Sequence, residues 1–250
     1  MDENKNFIKI KDLHYSYPDG TRALNGINLE IKGKESIAVI GANGAGKSTL
    51  LMNLNGTLLP DSGFIQINDH MITKKNLNDI RKKVGMVFQN TNDQLFMPTV
   101  FDDIAFGPLN LGFSQEEVKH IVNNTMINLD ITDLKDRPPY KLSSGEQRKV
   151  TIATILSMSP DILVFDEPTS NLDIKNRRIL INIIRNINKT MLISSHDLEF
   201  LLEVCNRCIL IDKGKVIAYG RIRDILSNEK LLLTHHLEKP HSLIPHKHFK

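Results

Sequence analysis

The chain has 250 residues, 40% hydrophobic and 24% charged, an ordinary globular balance with room for one large domain or one domain carrying a sizeable insertion. Its formal net charge of +3, carried by scattered basic residues, argues against a polyanionic partner. The polar start MDENKNF is no secretory signal, and no apolar run approaches the ~20 residues that span a bilayer, so any work at a membrane requires something else to hold the chain there.

In chain order, FIKIKDLHYSY alternates apolar and polar residues, which predicts an antiparallel edge strand. SIAVI (Ser36–Ile40) reads as a buried strand, followed by a glycine loop and a helix, STLLMNLNG, ending near Gly56. KVGMVFQ, DILVFDEP, TMLISSH and RCILID supply four more apolar strands. Strands of this kind alternating with helical patterns predict an α/β fold with a largely parallel sheet.

Between Gln94 and Pro160 the pattern is helical only. Ser114 and Glu117 stand at capping-box spacing, and Val118, Ile121, Val122, Met126 and Leu129 then fall on one face. A helical insertion therefore interrupts the strand series. After Gly220, IRDILSNEKLLLTHHL reads as one or two short helices before a polar end. Cys205 and Cys208 form a lone CxxC where a helix hands over to a strand, which fits buried or incidental thiols and a reducing setting better than a redox or metal site.

GANGAGKST fits G-x-x-x-x-G-K-[ST], with Gly41, Gly46, Lys47 and Ser48 at the fixed positions. Glycines let successive backbone N–H groups turn inward around phosphate oxygens, and the following helix adds its positive dipole end. Lys47 reaches the β- and γ-phosphates, and the Ser48 hydroxyl can bind Mg²⁺. With a strand before it and a helix after it, the loop predicts a nucleoside triphosphate site.

ILVFDEP carries Asp166 to the end of a buried strand, where it can hold Mg²⁺ through water, while Glu167 can orient or deprotonate an attacking water. That pair points to hydrolysis rather than binding alone. His196 ends another apolar strand and is expected to contact the γ-phosphate, although a lone histidine suits a structural role as well. Gln89 closes VGMVFQ in the same way and is a candidate for a metal or water contact.

A second feature repeats the anion-binding logic. In KLSSGEQRK, Ser143, Ser144 and Gly145 present hydroxyls and backbone amides just before a helix-forming run. One domain has no evident need for two phosphate sites. The order GANGAGKST, VFQN, LSSGEQ, LVFDEPTSNLD, ISSHD resembles the ATP-binding subunit of an ABC transporter over roughly Phe7 to Tyr219.

The resemblance implies a P-loop NTPase (ABC ATPase) core with a mostly parallel sheet, an N-terminal antiparallel β subdomain and an inserted α-helical subdomain. It assigns residues 1–93 and 161–220 to the core of a single domain of about 7–240. Residues 94–160 become the insertion and 221–250 a C-terminal helical extension with a polar tail. It also answers the question of two sites. In the family the signature loop, here Ser143 to Glu146, closes over ATP held by the partner subunit's phosphate loop, Gly41, Ala42, Asn43, Gly44, Ala45, Gly46, Lys47, Ser48 and Thr49. Tyr17 matches the aromatic that stacks on adenine, with Tyr15 as the fallback and edge-strand packing as the plainer reading. Asp173 in SNLD matches the loop that touches the partner's phosphate loop.

The sequence departs from the family's L-S-G-G-Q at two places. Ser144 replaces a glycine, which crowds the loop if that position requires φ > 0, and Glu146 replaces glutamine, adding charge beside a phosphate. The stretch after Gln89, together with DRPPYKLS, resembles the energy-coupling-factor group, particularly cobalt and nickel importers. This implies a second ATPase subunit (identical or related), an integral membrane coupling protein, a membrane substrate-capture protein and a place at the cytoplasmic face of the membrane. Phe96, Phe101 and Phe106 then line a groove for the membrane partner, or else belong to the helical core.

His235, His236, His241, His246 and His248 match no defined metal-site spacing. Two other functions stay open. A soluble ABC ATPase acting on nucleic acid or ribosomes would usually show a coiled-coil insertion or a tandem ATP domain. A regulatory module with little turnover is opposed by Glu167 and His196 and mildly favoured by the altered signature.

Overall fold

The computed structural model describes residues 6–244. The strands are β1 (Asn6–Ser16), β2 (Arg22–Lys32), β3 (Ser36–Ile40), β4 (Ser62–Ile67), β5 (His70–Met71), β6 (Val84–Val87), β7 (Ile162–Asp166), β8 (Thr190–Ser194), β9 (Arg207–Asp212) and β10 (Lys215–Arg221). The helices are α1 (Lys47–Leu54), α2 (Leu77–Lys83), α3 (Val100–Asn110), α4 (Gln115–Asn128), α5 (Ser144–Leu156), α6 (Ile174–Arg185), α7 (Leu198–Val204), α8 (Ile222–Ser227) and α9 (Glu229–Thr234). The chain divides into two compact units, one running to Leu77 and resuming at Lys189, the other spanning Asn78–Asn188.

In the first unit an antiparallel sheet has the order β2-β1-β4-β5. Ile10 faces Leu29 on one side and Ile65 on the other, and all three are buried. β1 is therefore antiparallel but central, not an edge strand. Its alternation reports a sheet with one dry and one wet face, which a central antiparallel strand shows equally well.

In the same unit β3 lies between two parallel neighbours, β8 (Ile37 opposite Leu192) and β9 (Val39 opposite Ile209), and β10 runs antiparallel beside β9. Ile37, Ala38, Val39 and Ile40 are all fully buried, which is why SIAVI shows no alternation. Burial of each such branched side chain contributes about 1.5–3 kcal/mol. α8 and α9 follow β10, as two short helices.

The second unit is built on β7 with β6 parallel to it, Met86 opposite Val164, and every residue of β7 is buried. Its remaining described elements are helical. α4 opens with the expected capping box, Ser114 accepting from the Glu117 amide while Glu117 reaches back to the Ser114 amide. Val118, Val122, Met126 and Leu129 are buried along the expected face, with Ile121 half-buried. The observed class is α/β, with an antiparallel N-terminal sheet, mostly parallel strands elsewhere and a helical stretch between β6 and β7.

Candidate functional site

The turn from β3 into α1 is made of glycine and backbone rather than side-chain caps. Gly46 is the N-cap of α1 at φ 105°, with no side-chain cap bond. A Cβ there would lie 2.5 Å from the Ala23 carbonyl oxygen, and one on Gly41 would run into the Ile211 carbonyl. Only glycine fits either place. Lys47 is 7% exposed, and its ammonium donates to the carbonyls of Gly41 (2.8 Å) and Ala42 (3.2 Å), curling the loop around its own cation. Ser48 and Thr49 sit in the first turn of α1. Thr49 meets the Tyr17 hydroxyl at 2.9 Å, so Tyr17 stands beside this loop, and Tyr15 packs against Tyr17 edge to face at 5.2 Å. The remaining loop residues, Ala42 to Ala45, are spanned by the Ala45 N–H donating to the Ala42 carbonyl.

β3 and β8 are neighbours, so the residues following each strand come together. Gly41 and His196 line one cavity of about 340 Å³ with Asp197, Glu199 and the chain at His236–Glu238. Asp197 caps α7 by accepting from the Phe200 amide, and the Ser242 amide donates to Glu199. His235 bonds Asp212 at 2.9 Å, which anchors the segment after α9. Among the described residues no group of three or more His, Cys, Asp and Glu is arranged to hold a metal, and His246 and His248 lie outside them. Cys205 and Cys208 are both buried free thiols, each pushed well up by burial, and so are unreactive.

In the second unit Asp166 is the last residue of β7 and 4% exposed. Glu167 follows at φ 46° and is 8% exposed. A non-glycine residue in left-handed backbone is strained by about 1–3 kcal/mol, and such strain gathers at functional sites. Two adjacent buried carboxylates, Asp166 and Glu167, thus stand at the end of β7.

The signature loop begins α5, a helix of 13 residues with Ser143 as N-cap. Ser143 and Glu146 form a second full capping box. Glu146 Oε2 accepts from both the Ser143 amide and the Ser143 hydroxyl, each at 2.7 Å, and Oε1 accepts from Arg137 at 3.3 Å. The Ser143 amide, then its hydroxyl, then Arg137 hold the Glu146 carboxyl below the usual carboxylate range. Ser144 is already the first helical residue and is absent from the positive-φ positions, so its side chain costs no backbone strain. Its hydroxyl donates to the Asn171 carbonyl at 3.1 Å.

Gly145 is buried, and a Cβ there would strike the Asn176 amide group, which is itself bonded to Asp173 Oδ2 at 3.1 Å. Asp173 also caps α6, accepting from the Asn176 amide at 2.7 Å. Asn176 therefore ties Gly145 to Asp173. No local pattern signals that role, because it depends on α5 meeting α6.

Gln89 is exposed, two residues beyond the end of β6. Its backbone is fixed by Arg148 of α5, which donates to the Phe88 and Gln89 carbonyls at 2.7 Å each. Arg148 is only 3% exposed, and burial lowers its guanidinium to about 10. Beyond Gln89, buried Asp103 accepts from the amides of Phe96 and Met97 at 3.1 Å each. Phe96 is 63% exposed and Phe106 43%, so neither belongs to the core, and they meet edge to face at 5.0 Å. Phe101 is half-buried under Lys135.

The family model for the ABC transporter matches residues 24–170 of this chain. This chain belongs to the ABC transporter family. Within that family, a Geobacter sulfurreducens protein named as an ABC transporter ATP-binding protein is 51% identical over 94% of this chain and 95% of its own length. The energy-coupling factor transporter ATP-binding protein EcfA of Methanothermobacter thermautotrophicus is 43% identical over 93% of this chain and 76% of its own. Among solved structures, Clostridium perfringens cbiO1, part of the ABC transporter complex cbiONQ, superposes with a TM-score of 0.80 at 34% identity, covering 92% and 94% of the two chains. As an ABC transporter ATP-binding protein, the chain binds ATP and is an ATPase coupled to transport. No described helix is long and apolar enough to cross a membrane.

Proposed function

We propose that this chain is the ATP-hydrolysing energy-coupling subunit of a membrane ABC importer of the energy-coupling-factor type, carrying cobalt, nickel or another micronutrient. It acts at the cytoplasmic face of the membrane, paired with a second ATPase subunit, identical or related. Its partners are an integral membrane coupling protein and a membrane substrate-capture protein. Residues 1–93 and 161–220 form the ATP-binding core, 94–160 the inserted subdomain and 221–250 the extension.

In this reading the Gly41–Thr49 amides and Lys47 cradle the phosphates, and Tyr17 stacks on adenine. The Ser48 hydroxyl, the Asp166 carboxylate and the Gln89 amide oxygen are hard oxygen donors, which suits Mg²⁺. Mg²⁺ held there would neutralise charge on the phosphate oxygens. Glu167 takes the proton of the attacking water, and His196 steadies the γ-phosphate. Ser143, Ser144, Gly145 and Glu146 face the partner's nucleotide, and Asp173 faces the partner's phosphate loop. Closure moves the membrane partner because ATP binds the closed dimer better than the open one.

The observation that carries the reading is the exposed Phe96–Phe106 pair, in the same stretch whose start, Gln89, is held by the signature helix through Arg148. Contiguous exposed apolar surface marks interaction sites, and this pair supports docking there. The similarity to EcfA and cbiO1 supports the importer subtype. The test is co-purification from detergent-solubilised membranes: an integral membrane protein should accompany the chain and be lost from the Phe96→Ala/Phe106→Ala variant. Recovery only with ribosomes or DNA would replace this reading with the nucleic-acid one.

A further inference from the structure

We propose that Glu146 is a positioning residue that restrains dimer closure: its carboxylate engages the Ser143 hydroxyl, and that hydroxyl must be released before Ser143 can meet a partner's γ-phosphate. The inference deepens the reading of the signature loop given above and rests on it.

A serine hydroxyl carries one proton. Here that proton points to Glu146 Oε2 at 2.7 Å, and the same oxygen takes the Ser143 amide at 2.7 Å. Two donors that an incoming phosphate oxygen would use are therefore directed at the chain's own carboxylate. Arg137, 3.3 Å from Oε1, helps hold the carboxylate there. A hydrogen bond to an ionised acceptor is roughly twice as strong as one to a neutral acceptor, so a glutamine at this position would keep the box and loosen the hydroxyl. It would also remove a negative charge from beside the phosphate.

The molecule contains its own control. Ser114 and Glu117 start α4 with the same box and nearly the same distances, 2.7 Å for the hydroxyl and 2.8 Å for the amide. At α4 the box only begins a helix. At α5 it falls on the residue assigned to the partner's nucleotide.

The experiment follows ATP-driven dimerisation of the Glu167→Gln protein with Mg²⁺ by light scattering. Adding Glu146→Gln should lower the ATP concentration at half-dimerisation by about tenfold, whereas Glu117→Gln leaves it unchanged. The Glu146→Gln change also loses the Arg137 partner, so the thermal shifts need not match; a purely structural role for Glu146 predicts that neither addition moves the dimerisation midpoint. An unchanged or raised midpoint with Glu146→Gln overturns the proposal, as does the absence of a dimer in either protein. Ser143→Arg separates the two levels. A dimer that survives it overturns the signature-loop reading itself, while a dimer lost to it but indifferent to Glu146→Gln overturns only the restraint.

Discussion

The two helix starts that begin α1 and α5 solve the same local problem in opposite ways. Both leave backbone amides pointing off a helix end. At α1 the chain uses glycine in left-handed backbone and no side-chain cap. At α5 it uses a serine and a glutamate that satisfy each other. The first arrangement gives up local stability and keeps the helix end for a ligand. The second is stable by itself and must be partly undone before anything else can bind.

The largest effect that would sharpen this contrast is expected at the phosphate loop. Lys47→Ala should reduce phosphate release by about 10²- to 10³-fold, because a preorganised charge is lost where negative charge develops. Glu167→Gln should slow turnover about as much while retaining ATP binding, as judged by nucleotide co-elution. Equal loss of binding in both variants would break the division of labour.

Next comes the backbone. Gly46→Ala, at φ 105° and against the Ala23 carbonyl, should lower unfolding stability by about 1–3 kcal/mol and weaken ATP binding. Ser144→Gly should cost less, since Ser144 lies in ordinary helical backbone and only its bond to the Asn171 carbonyl and some helix propensity are lost. Denaturant titration of both variants reads the difference directly.

Arg148→Met should cost a further measurable amount, about 1–3 kcal/mol, since it leaves the Phe88 and Gln89 carbonyls without their donor. Arg148 fixes the backbone at Gln89, at the start of the Phe96–Phe106 stretch proposed to dock the membrane partner, so this variant should lose stimulation of ATPase activity by that partner more than it loses basal activity.

The smallest effect concerns pH. Bonds to Ser143 hold Glu146 below the usual carboxylate range, and bonds to Ser114 do the same for Glu117. A depressed folded value means stability that is fully present above the unfolded carboxylate value and lost as pH falls through the folded one. Thermal unfolding should therefore decline on acidification, and Glu117→Gln and Glu146→Gln should each flatten that decline. Steeper decline in either variant would contradict the capping geometry.

Local patterns carried much of the fold. SIAVI marks β3 to its end residues because a fully buried parallel strand is a continuous apolar run. Ser114 and Glu117 marked the start of α4 because a capping box is local. The identical spacing of Ser143 and Glu146 was equally present in the sequence. The same residues also read as an anion site, and a single stretch can serve both purposes. β4 and β10 lack a clean signal, whereas β2 alternates buried Ile27, Leu29 and Ile31 with exposed Asn28, Glu30 and Lys32. β10 is only half-buried.

The sequence by itself determined the glycine loop with its lysine, the aspartate–glutamate pair closing an apolar strand, the order of motifs and hence the family. Those features act over a few residues, where spacing and chemistry are enough. Tertiary structure decided that β1 is central, that Ser144 bears no strain, that Asn176 joins Gly145 to Asp173, and that Arg148 holds Gln89. Each of these depends on which strand or helix lies alongside another, and that is fixed by packing between segments far apart in the chain.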